Sequence, residues 1–142
     1  MSELSFNQKK DNLIAELKAL SDPEDRFTFI VERAQAQESL PEKLRLDSFK
    51  VKGCMSQLWI VPSIDQVGIC KFQADGDALI PKGITLLILD LFQNEKPETI
   101  IEADLSFLDH LGLKEQLTPN RRNALSKIED YVKDFAKGVK NG

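Results

Sequence analysis

The stretch Phe49–Val61, FKVKGCMSQLWIV, is where the chain changes its period. Upstream of it, apolar residues recur at helical spacing. From Phe49 onward β-branched and aromatic residues crowd into short runs, FKV and then QLWIV, broken only at the Gly53–Cys54 corner. PSIDQVG follows as a turn, and VGICKFQA reads as the next run. The middle of the chain therefore predicts a small antiparallel meander of about three strands.

On the N-terminal side, residues 7–20 read as an amphipathic helix with Leu13, Ile14, Leu17 and Leu20 on one face. SDPEDRF then starts a second helix, with Asp22 as N-cap, Pro23 at the first helical position and acids in the first turn. Phe27, Ile30, Val31 and Ala34 continue it to about Gln37, and QESLPEKLRLD breaks it as an exposed connection. On the C-terminal side, a helix begins between Asp77, a candidate N-cap, and Pro81. Its all-round apolar character from Ile84 to Phe92 predicts deep burial. KPETIIEAD and SFLDHLGL read as short helices, the second stopped by Gly112. Thr118–Pro119 caps a last helix whose stripe is Leu125, Ile128, Val132 and Phe135, with Gly138 ending it. Strands grouped between helices, with no βαβ alternation, predict α+β: one small sheet covered by helices, in a single domain over residues 1–142.

Composition narrows the function. With 142 residues, 42% apolar and 30% charged, the chain has an ordinary globular balance and needs no disulfide or metal to fold. A net charge of -4 argues against general affinity for nucleic acid. The N-terminus has no signal-like apolar core, and ITLLILDLF is too short to span a bilayer. Two cysteines and this start suggest reduced thiols and a cytoplasmic protein.

Few residues could carry chemistry. One histidine and two cysteines cannot make a four-cysteine or a two-cysteine, two-histidine zinc site. Phosphate-binding glycine loops and the nucleophile-elbow pattern are absent. Cys54 stands at a corner where Gly53 permits a sharp turn and successive N–H groups can face a thiolate. The other reading is a small buried hydrophobe, and spacing alone leaves both standing. Cys70 shares a strand face with Phe72, a core pattern. His110 is a base for Cys54 only if folding joins them, and is otherwise a lone surface or half-buried histidine. Trp59 reads as sheet packing and could floor the corner. Arg121 and Arg122 sit in the first turn of a helix, the wrong end for cations, which fits either a partner contact or simple solvation.

Taken together, three blocks resemble the SufE family of sulfur acceptors. GCMSQLW matches G-C-x-S-x-x-W through Gly53, Cys54, Ser56 and Trp59. ADGDALIPKG is similar to the family's acidic turn through Asp75, Asp77, Lys82 and Gly83, and LTPNRRNAL to its L-[ST]-P-x-R segment through Thr118, Pro119 and Arg121. The resemblance spans nearly the whole chain and implies a SufE/IscU-like fold. It further implies that Cys54 takes persulfide sulfur from a pyridoxal-phosphate-dependent, SufS-like cysteine desulfurase and relays it to an iron–sulfur scaffold, with no cofactor or metal of its own. Asp75, Asp77 and Arg121 would then serve partner binding, and Arg45 a basic position ahead of the corner. A homodimer is compatible with the sequence. The alternative is a metal or cluster scaffold of the related IscU-like type, using Cys54, His110 and carboxylates; a single cysteine at the matching turn disfavours it. Such a sulfur carrier is an accessory protein rather than a stand-alone enzyme.

Overall fold

The computed structural model describes residues 4–52, 57–117 and 124–141. Two helices open the chain. In α1, Phe6–Lys18, Ser5 and Gln8 form a reciprocal capping box, and Leu13 and Leu17 are buried. In α2, Pro23–Ala36, Asp22 accepts the Glu24 N–H and Pro23 sits in the first turn, as the sequence predicts. Ile30 and Ala34 are buried, whereas Phe27, expected on the same apolar face, is 47% exposed.

Among the described residues the sheet has two antiparallel strands, β1 (Leu58–Ile64) and β2 (Cys70–Gly76), in the register Leu58↔Gly76 to Ile64↔Cys70. The predicted third strand is reduced to one bridge, Lys50↔Trp59, with the Val51 N–H donating to the Leu58 carbonyl at 2.8 Å. The reason is length. A 3₁₀ turn occupies Asp47–Phe49, and Lys52 already turns, so only two residues stay extended.

Both sheet edges are closed by specific groups. Along the outer edge of β1, Val51 bonds the Leu58 carbonyl and the Tyr131 hydroxyl donates to the Ile60 carbonyl at 2.8 Å. By strand alternation the next outward-facing residue is Pro62, which has no N–H to offer. Along β2, the Gln93 side-chain amide accepts the Phe72 N–H at 2.9 Å and donates to the Phe72 carbonyl at 2.6 Å. Cys70 donates to the Glu95 carbonyl and accepts from the Asn94 N–H, with Asn94 at a positive φ of 62°. A side-chain amide thus stands in for a third strand, which blunts a template for unwanted pairing.

Behind the sheet lies α3, Leu79–Phe92, buried throughout from Pro81 except at Asp90. It contacts both N-terminal helices and β2, so it is the axis of the core. Close approach to α2 requires Gly83: a Cβ there would stand 2.3 Å from the Ile30 carbonyl oxygen and 2.7 Å from its Cγ2. Asp77 is not the N-cap of this helix. Ala78 holds that position without a side-chain bond, because the Asp77 carboxylate is committed elsewhere.

After α3 come α4 (Pro97–Glu102), a 3₁₀ turn at Ser106–His110 ahead of Gly112 (φ +77°), and α5 (Ala124–Asn141). Leu125, Ile128 and Val132 are buried, and Phe135 meets Phe72 edge-on at 5.9 Å. The helix does not end at Gly138 but runs to Asn141. No close contact or positive φ forces a break at that glycine. The capping role expected of Thr118–Pro119 falls outside the described residues.

Candidate functional site

Gly53, Cys54 and Ser56 lie outside the described residues, as does Arg121. What is described is how the chain is held on either side of residues 53–56. On the entry side, Val51 is 3% exposed and tied to Leu58, with Lys50 bridged to Trp59. On the exit side, Gln57 is bound at both of its backbone groups. Its N–H donates to the Asp77 carboxylate at 3.0 Å, and its carbonyl accepts the Asp77 N–H at 3.1 Å. Both flanks of the cysteine segment are therefore fixed to one end of the sheet, next to the acidic turn Asp75–Asp77.

At that end of the sheet lies a buried ionic cluster. Asp75 is 1% exposed and lies opposite Trp59 in the register. One carboxylate oxygen accepts the Leu40 N–H at 2.9 Å and Arg45 at 2.5 Å; the other accepts the Gly76 N–H at 2.8 Å and the Lys82 ammonium at 3.2 Å. Burial pushes this carboxyl's pKa up. The opposing N–H groups of Leu40 and Gly76, with Arg45 and Lys82, outweigh burial and hold it below the ordinary carboxylate value. Lys82, itself 7% exposed, also reaches the Gln37 carbonyl at 3.3 Å. The Arg45 guanidinium lies 5.2 Å from the Trp59 ring centre.

This arrangement sorts the residues singled out in the sequence. Asp75, expected at a partner surface, has its carboxylate buried and fully engaged, so it acts as an internal tie that draws residues 37–45 onto β2 and α3. Asp77 is exposed and anchors the exit of the Cys54 segment. Trp59, 6% exposed, supplies the floor under Arg45. Arg45 thereby acquires a definite place, and Gly83 a packing role. Lys82, Gln37 and Leu40 complete the cluster. Leu40 and Arg45 stand 35 and 30 residues from Asp75, and Gln37 stands 45 from Lys82, so spacing alone could not bring them together; only Lys82 is near Asp75 in the chain, and its visible signal was a lysine inside an apolar helix.

Cys70 is a free thiol with no exposure. Burial, then the negative charges of Glu98 and Asp65, push its pKa up, away from the reactive thiolate. His110 is exposed and lines a cleft with Leu17, Ser21, Arg26 and Gly112, none of which flanks the Cys54 segment. Among the described residues no group of three His, Cys, Asp or Glu side chains could hold a metal ion. No helix among them is long and apolar enough to cross a membrane.

A small α+β domain that clamps the two flanks of a thiol-bearing segment beside an acidic turn is the class that fold and site define. The chain belongs to the SufE family: the Fe-S metabolism associated domain matches residues 11–136. Its role accordingly lies in iron–sulfur metabolism. It is 30% identical over 130 residues to a cysteine desulfuration protein SufE of Wigglesworthia glossinidia brevipalpis, covering 91% of this chain and 90% of that one. Over 139 residues it is 30% identical to an uncharacterized SufE-like protein of Rhizobium etli, covering 95% and 94% of the two chains. The fold is shared with the solution structure of a hypothetical protein from Thermus thermophilus, at a TM-score of 0.76 and 20% identity, over 94% of this chain and 97% of that one.

Proposed function

We propose that this protein accepts sulfur from a cysteine desulfurase on Cys54 and delivers it to a scaffold that assembles iron–sulfur clusters. The observation that carries the reading is the two-sided clamp on residues 53–56: Val51 to Leu58 before them, Gln57 to Asp77 after them. Fixed flanks hold both ends of the segment that carries Cys54 to one end of the sheet, which supports a positioned thiol. The second thiol gives complementary support, since Cys70 is enclosed and disfavoured as a thiolate.

The chemistry is thiol exchange. The Cys54 thiolate attacks the outer sulfur of the donor's cysteine persulfide; a new S–S bond forms as the old one breaks, and the donor cysteine leaves as a thiolate. Sulfane sulfur moves with no net oxidation, so the chain needs no cofactor of its own. The pyridoxal phosphate that first releases sulfur from cysteine belongs to the donor. A second exchange at the scaffold returns Cys54 to its thiol. Both steps need a compartment that keeps thiols reduced, which is the cytoplasm. Arg121, which matches the family's L-[ST]-P-x-R segment, joins the donor contact.

Desulfurase stimulation tests this. With a SufS-like desulfurase and cysteine, the wild-type chain raises sulfide release, Cys54→Ser abolishes the stimulation, and Cys70→Ser leaves it largely intact. Equal stimulation by both variants and the wild type overturns the carrier role.

A further inference from the structure

Away from the cysteine segment, α1 and α2 both pack on α3 and leave a cavity of about 470 Å³ between them. Its floor is apolar: Leu13, Leu87 and Leu91 are each 7% exposed or less, with Phe29 alongside. Its charges do not balance. Arg33 is neutralised by Asp90 through two bonds of 2.8 Å each, and Lys9 by Glu95 at 2.6 Å. Glu16 on α1 and Glu32 on α2 remain, both exposed and joined to no cation among the described residues. Two free carboxylates on different helices thus border one apolar floor.

We propose that this cavity binds an aliphatic diamine or polyamine. Each carboxylate takes one ammonium group, and the methylene chain between them covers the leucine floor, removing apolar surface from water. Size favours a small ligand over a protein: the volume lies in the small-molecule range, and ten lining residues fall short of the roughly 20–30 a side of a stable protein interface. The site uses no residue of the sulfur-transfer reading and stands or falls apart from it.

The test is methyl NMR on the full chain titrated with putrescine, with butylamine as the singly charged control. Putrescine shifts the methyls of Leu13, Leu87 and Leu91 and binds about two- to fivefold tighter than butylamine, one exposed ion pair's worth. Glu16→Gln and Glu32→Gln each remove that advantage, whereas Glu38→Gln, an exposed acid elsewhere, leaves it. Exposed Glu→Gln changes are not expected to disturb folding. Equal affinity for the two amines overturns the proposal, as does equal weakening by Glu38→Gln, which would mean general attraction to an acidic protein. Shifts confined to other methyls overturn it too.

Discussion

Replacing Asp75 with alanine removes the acceptor on which the ionic cluster converges. The Lys82 ammonium, whose side chain is 9% exposed, keeps only the Gln37 carbonyl at 3.3 Å, and the N–H groups of Leu40 and Gly76 lose their partner. Removing one member of a buried ion pair costs about 3–5 kcal/mol. Arg45 adds little to the loss, because its side chain is 36% exposed and keeps water and the Trp59 ring. A cost of that size is a large part of the roughly 5–15 kcal/mol that holds a domain folded. Urea unfolding followed by the single tryptophan, Trp59, reads it as a lower midpoint at unchanged slope. The pH dependence has a definite sign. The folded-state pKa of Asp75 is depressed, so its contribution is complete above the ordinary carboxylate value of 3.8 and fades as pH falls through the lower folded value. The gap between wild type and variant therefore closes in acid. A gap under about 1 kcal/mol at neutral pH, or one that does not narrow in acid, refutes the assignment of Asp75 as a buried tie.

Three further outcomes follow from the same geometry. Gly83→Ala forces α3 away from the Ile30 carbonyl and lowers stability by about 1–3 kcal/mol, seen as a drop in Tm; an unchanged Tm would mean the helices do not approach as described. Asp77→Ala costs at most about 1 kcal/mol because the carboxylate is exposed, yet it speeds hydrogen exchange at the Gln57 amide; unchanged exchange removes the clamp. In native protein iodoacetamide leaves Cys70 unlabelled, and Cys70 reacts only after unfolding; rapid native labelling of Cys70 contradicts its burial.

The sequence carried the helices well, since their signals are local. Asp22–Pro23 starts α2, and the apolar run from Ile84 to Phe92 is buried apart from Asp90. Its failures had both local and non-local causes. The run FKV has strand character, but the 3₁₀ turn Asp47–Phe49 takes its first residue and leaves only Lys50 and Val51 to pair, and the Gln93 amide and Tyr131 hydroxyl finish the sheet edges instead. Asp77 has the right residue type for an N-cap, yet its carboxylate is engaged by Gln57, twenty residues away in sequence. At the site, spacing alone left Cys54 between a reactive thiol and a buried hydrophobe; its assignment came from the resemblance to the SufE family, and Gly53, Cys54 and Ser56 lie outside the described residues. The Arg45–Asp75–Lys82 cluster was not legible, because residue type cannot say which of many charges will meet inside.

Mass spectrometry of the chain after incubation with a cysteine desulfurase and cysteine tests the carrier role most directly. A gain of about 32 Da, mapped to the peptide holding Cys54 and reversed by a reducing thiol, is the predicted result. An unmodified Cys54 beside an active donor, or the added sulfur on Cys70, would contradict it.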